Sequence, residues 1–173
     1  MKFDIPFKSE IYLNQVKLMT PIIYTEYYKD AKKSLIVGIF SSLLGVFIIL
    51  GKSQLGVLFI VLGISFIIKS LPKFKLYKTL KRTYFKITKE KLFENKSDFG
   101  NGIFEFTENS LKYIDNIETR DIKWNEFESY KIIESNLFLI LEQEKGEIMA
   151  IGKNEIGSEN FEKVITFIKT KLK

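Results

Sequence analysis

At 173 residues the chain has room for one modest domain and an anchor. Without a single cysteine or histidine it has no disulfide, thiolate nucleophile or Cys-based zinc site, and it lacks the side chain that titrates near neutrality. Its net charge of +6 is local: nine basic residues against one acid lie between Lys69 and Lys91, so the remainder is net negative. Basicity confined to the end of an apolar run belongs to a membrane surface rather than to nucleic acid.

Residues 1–33 form a short arm, too small for a core of its own. Thr20-Pro21 reads as an N-cap followed by proline at the first helical position, which starts a helix running through Ile23, Tyr24, Tyr27 and Tyr28 into the next segment. The tyrosines suit an interfacial belt.

Residues 34–71 are expected to be a transmembrane helical hairpin. Ser34–Leu50 and Ser53–Ile68 carry no charge, and Lys52 stands alone between them. A single helix over both runs would be ~52 Å long against a hydrocarbon core of ~30 Å. It would also bury Lys52 at a cost of roughly 2.5–3.5 kcal/mol. A turn at Gly51-Lys52-Ser53 avoids both. A cleaved signal peptide would sit at the extreme N-terminus with no second run behind it, and a soluble core helix rarely goes so far without a charge on any face. Lys29, Lys32 and Lys33 precede the hairpin and the basic belt follows it, which is expected to place both termini of a multi-pass membrane protein in the cytoplasm. Gly38 and Gly45, like Gly56 and Gly63, are seven apart, a spacing that lets the two helices approach closely; homodimerisation is the second reading. No ionisable residue lies mid-span, which argues against a transporter or channel.

Residues 72–100 read as a basic amphipathic connector. Leu71, Phe74, Tyr77, Leu80 and Tyr84 recur at helical steps, interleaved with Lys73, Lys75, Lys78, Lys81 and Arg82, the expected membrane-surface contacts. The alternative is that the apolar stripe packs on the following domain, and Phe85-Lys86-Ile87 could equally begin a strand.

Residues 101–173 turn to short alternating segments: Ile103–Thr107, Leu111–Ile114, Thr119–Trp124, Tyr130–Glu134, Leu137–Glu142 and Glu147–Ile151. Turns are expected at Glu108-Asn109, Ser135-Asn136 and Glu144-Lys145-Gly146. From Gly157-Ser158 a terminal helix presents Phe161, Val164, Ile165, Ile168 and Leu172 on one face. The fold class is therefore an α-helical hairpin plus a small α+β cytoplasmic domain, an antiparallel sheet or partial barrel closed by a C-terminal helix.

Phe104-Glu105-Phe106-Thr107-Glu108, Ile122-Lys123-Trp124-Asn125-Glu126-Phe127, Leu137-Phe138-Leu139-Ile140-Leu141, the Ile148–Ile151 strand and the helix from Ser158 together resemble the YcxB-like family of small bacterial membrane proteins. Members often carry Pro-Lys after the last strand, where Gly152-Lys153 stands here. The resemblance implies a domain similar in shape to pleckstrin-homology (PH) domains and implies no particular activity. Trp124, the sole tryptophan, is expected in the core.

No Walker loop, G-x-G-x-x-G, G-x-S-x-G or calcium loop occurs. Asn95-Lys96-Ser97 fits a glycosylation acceptor that a cytoplasmic position makes irrelevant, and Glu142 and Glu144 read as a solvated turn. The expectation is a non-enzymatic binding or scaffold module with no cofactor and no metal. Its partners are the lipid bilayer, anionic head groups, and a protein partner or second copy, with no nucleic acid. An immunity-type protein that protects against a bilayer-acting toxin is the alternative.

Overall fold

A computed structural model describes residues 1–94, 100–142 and 147–172. The chain divides into two compact units: Tyr24–Tyr84, and Met1–Ile23 together with Phe85–Lys173.

The first unit is helical. Helix α2 spans Thr25–Leu50 and α3 spans Leu55–Glu94, the first 30 residues of the latter lying in this unit. Between them Gly51, Lys52 and Ser53 donate their N–H groups to the carbonyls of Phe47, Ile49 and Ile48. The left-handed residue of the turn is Lys52 (φ 64°), whereas Gly51 keeps a φ of −76°. The turn thus falls where the isolated charge predicts it, but on the lysine rather than the glycine.

The two helices are packed backbone to backbone. A Cβ built on Gly38 would lie 2.8 Å from the Gly63 carbonyl oxygen, and one on Gly45 would lie 2.6 Å from that of Gly56. Both distances are shorter than real contacts permit, so all four positions require glycine for want of space. Close approach also lets Ser34 and Ser41 donate across the interface to the carbonyls of Phe66 (3.1 Å) and Phe59 (3.0 Å). The glycine pairs are thus consumed inside the hairpin. Its outer faces are apolar and bare, with Phe40, Phe47 and Leu50 each about 70% exposed. In the most apolar 18-residue stretch of each helix only 11% and 17% is buried. A soluble core helix would be mostly covered; these two helices are long and apolar enough to cross a membrane.

At the open end of the pair, Tyr28 of α2 meets Phe74 and Tyr77 of α3, Tyr24 meets Tyr84, and Asp30 lies 3.7 Å from Lys73. Much of the apolar stripe beyond residue 71 is therefore occupied by α2, an outcome the sequence reading did not include. Pro72 forfeits one backbone hydrogen bond yet does not end α3. The segment from Phe85 to Ile87 is helix, not strand.

The second unit holds two antiparallel sheets and a closing helix. Strands β1 (Lys2–Ile5), β2 (Gly102–Phe106), β3 (Ser110–Ile114) and β4 (Thr119–Lys123) run in that order in the first sheet. Strands β5 (Phe127–Ile133), β6 (Asn136–Leu141) and β7 (Ile148–Gly152) form the second. The strand at Lys2–Ile5 is not anticipated by the sequence reading: the arm's first residues pair with the far side of the chain, Phe3 opposite Phe104 and Ile5 opposite Gly102. Nor does the arm's helix begin at Thr20-Pro21. Helix α1 runs from Ser9 to Ile23, both residues lie within it, and the Thr20 hydroxyl donates back to the Val16 carbonyl instead of capping.

Alternation places Phe104, Phe106, Leu111, Ile122, Leu137, Leu139 and Ile151 in one core, closed by Phe161, Val164, Ile165 and Ile168 of α5 (Ser158–Lys171). Trp124 lies there as expected, 7% exposed, with its indole N–H donated to the Thr107 carbonyl. The β5–β6 turn falls one residue earlier than predicted, on Glu134 and Ser135 (φ 47° and 61°), the paired left-handed geometry of a two-residue hairpin. Strand β5 also begins earlier, at Phe127, with a register shift before Ser129. Gly157 (φ 81°) links the short helix α4 (Lys153–Ile156) to α5 in a conformation that favours glycine. The turn expected at Glu144-Lys145-Gly146 and the Asn95-Lys96-Ser97 triplet lie outside the described residues.

Phe138 points away from this core by alternation, yet it is fully buried. It lies opposite Ala150 of β7, and α1 packs against β7, so this sheet is covered on both faces.

Candidate ligand cavity and basic helix face

The five basic residues expected at a membrane surface all fall on α3, but the helix separates them. At 100° per residue Lys75, Lys78 and Arg82 lie within about 60° of arc, and Lys73 lies on the opposite side. There Lys73 is held by Asp30. The Lys81 ammonium stands 5.9 Å from the Tyr77 ring centre. The outward basic face is thus Lys75, Lys78 and Arg82, all exposed.

The second unit contains a cavity of about 270 Å³ between α1, the start of β7 and the β2–β3–β4 edge. Helix α1 contributes Tyr12, Gln15, Val16 and Met19, which share a face because they are three, four and seven residues apart. Phe104 and Tyr113 come from β2 and β3, Arg120 from β4, Glu147 from the residue before β7, and Glu155 from α4.

The polar groups are tied together. Arg120 pairs with Glu147, its second guanidinium nitrogen 3.1 Å from the carboxylate, and also reaches Glu118 at 3.9 Å. Gln15 donates through Nε2 to Glu155 (2.6 Å) and to the side-chain amide oxygen Oδ1 of Asn136 (3.4 Å). Glu155 in turn accepts the Gly152 N–H, closing the first turn of α4. Burial pushes the Glu155 carboxyl above its ordinary range, against the opposing pull of these hydrogen bonds and of nearby Lys8. Burial, followed by the hydrogen bond it donates to Asp115 (2.8 Å), also drives the Tyr113 phenol far up. Burial opposes the charge of Asp115 as well. Even so, the N–H groups of Glu118 and Ile117 and the Tyr113 hydroxyl hold its carboxyl below the usual range.

Chemically the cavity is a small mixed site with aromatic rings and carboxylates on its walls. Among the described residues no group of three or more acidic side chains is placed to hold a metal ion. Sequence reasoning missed the cavity because its members come from seven elements and form no motif. Only the common face of Tyr12, Gln15, Val16 and Met19 left a trace. Comparisons with known protein families, curated proteins and solved structures yield no match.

Proposed function

We propose that the chain is a non-enzymatic, membrane-anchored binding module. The hairpin crosses the bacterial inner membrane and holds a PH-like domain of YcxB-like type at the inner leaflet. The observation that supports this most is the pairing of β1 with β2. One strand precedes the hairpin, the other follows it, and they share a register from Lys2–Glu105 to Ile5–Gly102. Strands on opposite sides of a bilayer cannot pair, so helices that cross it must do so an even number of times. The lysines beside the apolar stretches of α2 and α3 then favour the cytoplasm as the side where both ends meet. The PH-like reading draws on the four-stranded and three-stranded sheets closed by a C-terminal helix. Lys75, Lys78 and Arg82 supply the contact with anionic head groups, at ~1 kcal/mol each near the surface.

The test is to isolate membranes, wash them with alkaline carbonate, solubilise the tagged full-length chain in mild detergent after crosslinking, and identify what accompanies it. A specific protein or an enriched anionic lipid is the expected companion. Release by carbonate would overturn the anchor. Recovery of a solitary chain with no lipid preference would overturn the binding module.

A further inference from the structure

Two aromatic pairs border the α1–β7 cavity: Phe7 with Tyr12, centroids 5.7 Å apart, and Phe104 with Tyr113, centroids 4.9 Å apart. Three carboxylates line the same space, Glu118, Glu147 and Glu155, against two cations, Arg120 and Lys8. Arg120 is shared between Glu147 and Glu118, and Lys8 acts on Glu155 through its charge. The walls therefore keep an excess of negative charge beside aromatic surface. Rings attract a cation through their quadrupole, by ~0.5–1 kcal/mol at exposed sites and ~2 or more when desolvated, and repel an anion. A guest anion would also meet three carboxylates, with Arg120 already engaged. A neutral guest would recover neither attraction. The volume, about 270 Å³, sits at the small end of ligand pockets, which start at about 300 Å³.

We propose that this cavity binds a small organic cation, a compact ammonium whose charge is balanced by Glu155 and Glu118 and whose alkyl groups meet Phe104 and Tyr113. Helix α1 forms one wall, so an occupied site ties α1 more firmly to the sheet. The inference rests on the binding-module reading only in naming the ligand class for such a module.

The experiment uses the full chain in detergent micelles and three probes of similar size and different charge: choline, its uncharged carbon isostere 3,3-dimethylbutan-1-ol, and inorganic phosphate. Binding is followed by calorimetry and by the thermal transition read from Trp124. Choline is expected to saturate the protein and raise the transition. The isostere should bind at least tenfold more weakly, and phosphate should not bind. Glu118→Gln, at the rim, is expected to weaken choline several-fold with the melting curve of the free protein unchanged, and Tyr113→Leu to weaken it further. Equal binding of the isostere, preference for phosphate, choline binding insensitive to both variants, or silence from all three probes each overturns the cation assignment. A phosphate or isostere response would leave the binding-module reading standing. Only failure of the crosslinking experiment as well removes that.

Discussion

The glycine seam of the hairpin yields a quantitative prediction, best tested by Gly45→Leu. Leucine is a strong helix former, so the substitution isolates packing from propensity. A Cβ at residue 45 would stand 2.6 Å from the Gly56 carbonyl oxygen and 2.8 Å from the Ile60 backbone nitrogen. Heavy atoms at rest lie ~3.5 Å apart or more, so the helices must part by most of an ångström at this level. Overpacking of this kind costs ~1–3 kcal/mol. Separation also stretches the Ser41–Phe59 hydrogen bond, of a type worth ~0.6 kcal/mol on average between membrane helices. The expected loss is about 2–3 kcal/mol, roughly a 30- to 150-fold shift toward the open hairpin. Because the chain has no cysteine, Lys33→Cys and Lys69→Cys place a donor–acceptor dye pair at the hairpin's open end without side labelling. Energy transfer is then followed as sodium dodecyl sulfate is titrated into mild-detergent micelles. Gly45→Leu should open at a clearly lower mole fraction, while Trp124 emission, which reports the sheet unit, stays put. Gly51→Ala is the control, since a Cβ there meets nothing closer than 3.3 Å. Identical opening curves for Gly45→Leu and its parent would falsify the packing argument.

Trp124→Ala should cost ~3–5 kcal/mol in chemical unfolding of the sheet unit. Trp124→Phe should lose chiefly the bond to Thr107, ~1 kcal/mol; equal losses for the two variants would show that the ring is not packed as described. The acid limb of stability depends on Asp115. Its carboxyl titrates below its ordinary value of ~3.9, so its contribution is complete above that pH and is lost as pH falls through the lower folded value. Asp115→Asn should flatten that limb in pH-dependent urea titrations, and an unchanged slope would contradict the hydrogen bonding at the β3–β4 turn. Glu155 acts in the opposite sense. Its folded pKa is raised, so its penalty is absent below ~4.3 and complete above the folded value, and stability falls as pH rises through that window. Glu155→Gln should remove this decline while keeping an acceptor for Gly152; a decline that persists would point to another group. Replacing Lys75, Lys78 and Arg82 with Gln should weaken association with anionic over neutral lipid in mixed nanodiscs far more than Lys73→Gln, because Asp30 already holds Lys73. Equal effects would refute the division of the helix face.

How much of this was legible in the sequence follows from the range of the forces involved. The two apolar runs and their turn are local matters, set by 35 residues with one charge among them; the turn falls within a residue of its expected place, whereas α2 begins at Thr25 and α3 runs on to Glu94, beyond the runs. The glycine spacing signalled close helix packing, and the structure places the glycines within the hairpin. Strands β2, β3, β4, β6 and β7 fall within a residue of the segments expected for them. Two failures are local, the Thr20-Pro21 cap that lies mid-helix and the β5–β6 turn that falls one residue early, and the larger ones are non-local. Strand β1 has four residues and no meaning apart from Phe104, a hundred positions away. The division drawn at residue 72 is crossed by one continuous helix: the hydrogen bond lost at Pro72 does not outweigh the turns on either side and the packing of Phe74, Tyr77 and Tyr84 on α2. The cavity could not be read because polar pairs such as Arg120–Glu147 and Gln15–Glu155 join residues 27 and 140 positions apart.

The pairing of β1 with β2 also has a consequence in time. The strand from Lys2 to Ile5 leaves the ribosome first, and its partner from Gly102 follows only after the whole hairpin has been made. At ~5–20 residues per second that is a wait of roughly 5–20 s during which Phe3 and Ile5 have no sheet to join. Delivery of α2 and α3 into their final environment falls within that interval. A chain with only one of the two helices across a membrane would strand β1 away from β2 and leave Phe104 and Phe106 uncovered at a sheet edge, a surface open to aggregation and proteolysis. Completion of the sheet unit thus requires that the segments before and after the two helices lie on one side of any membrane those helices cross.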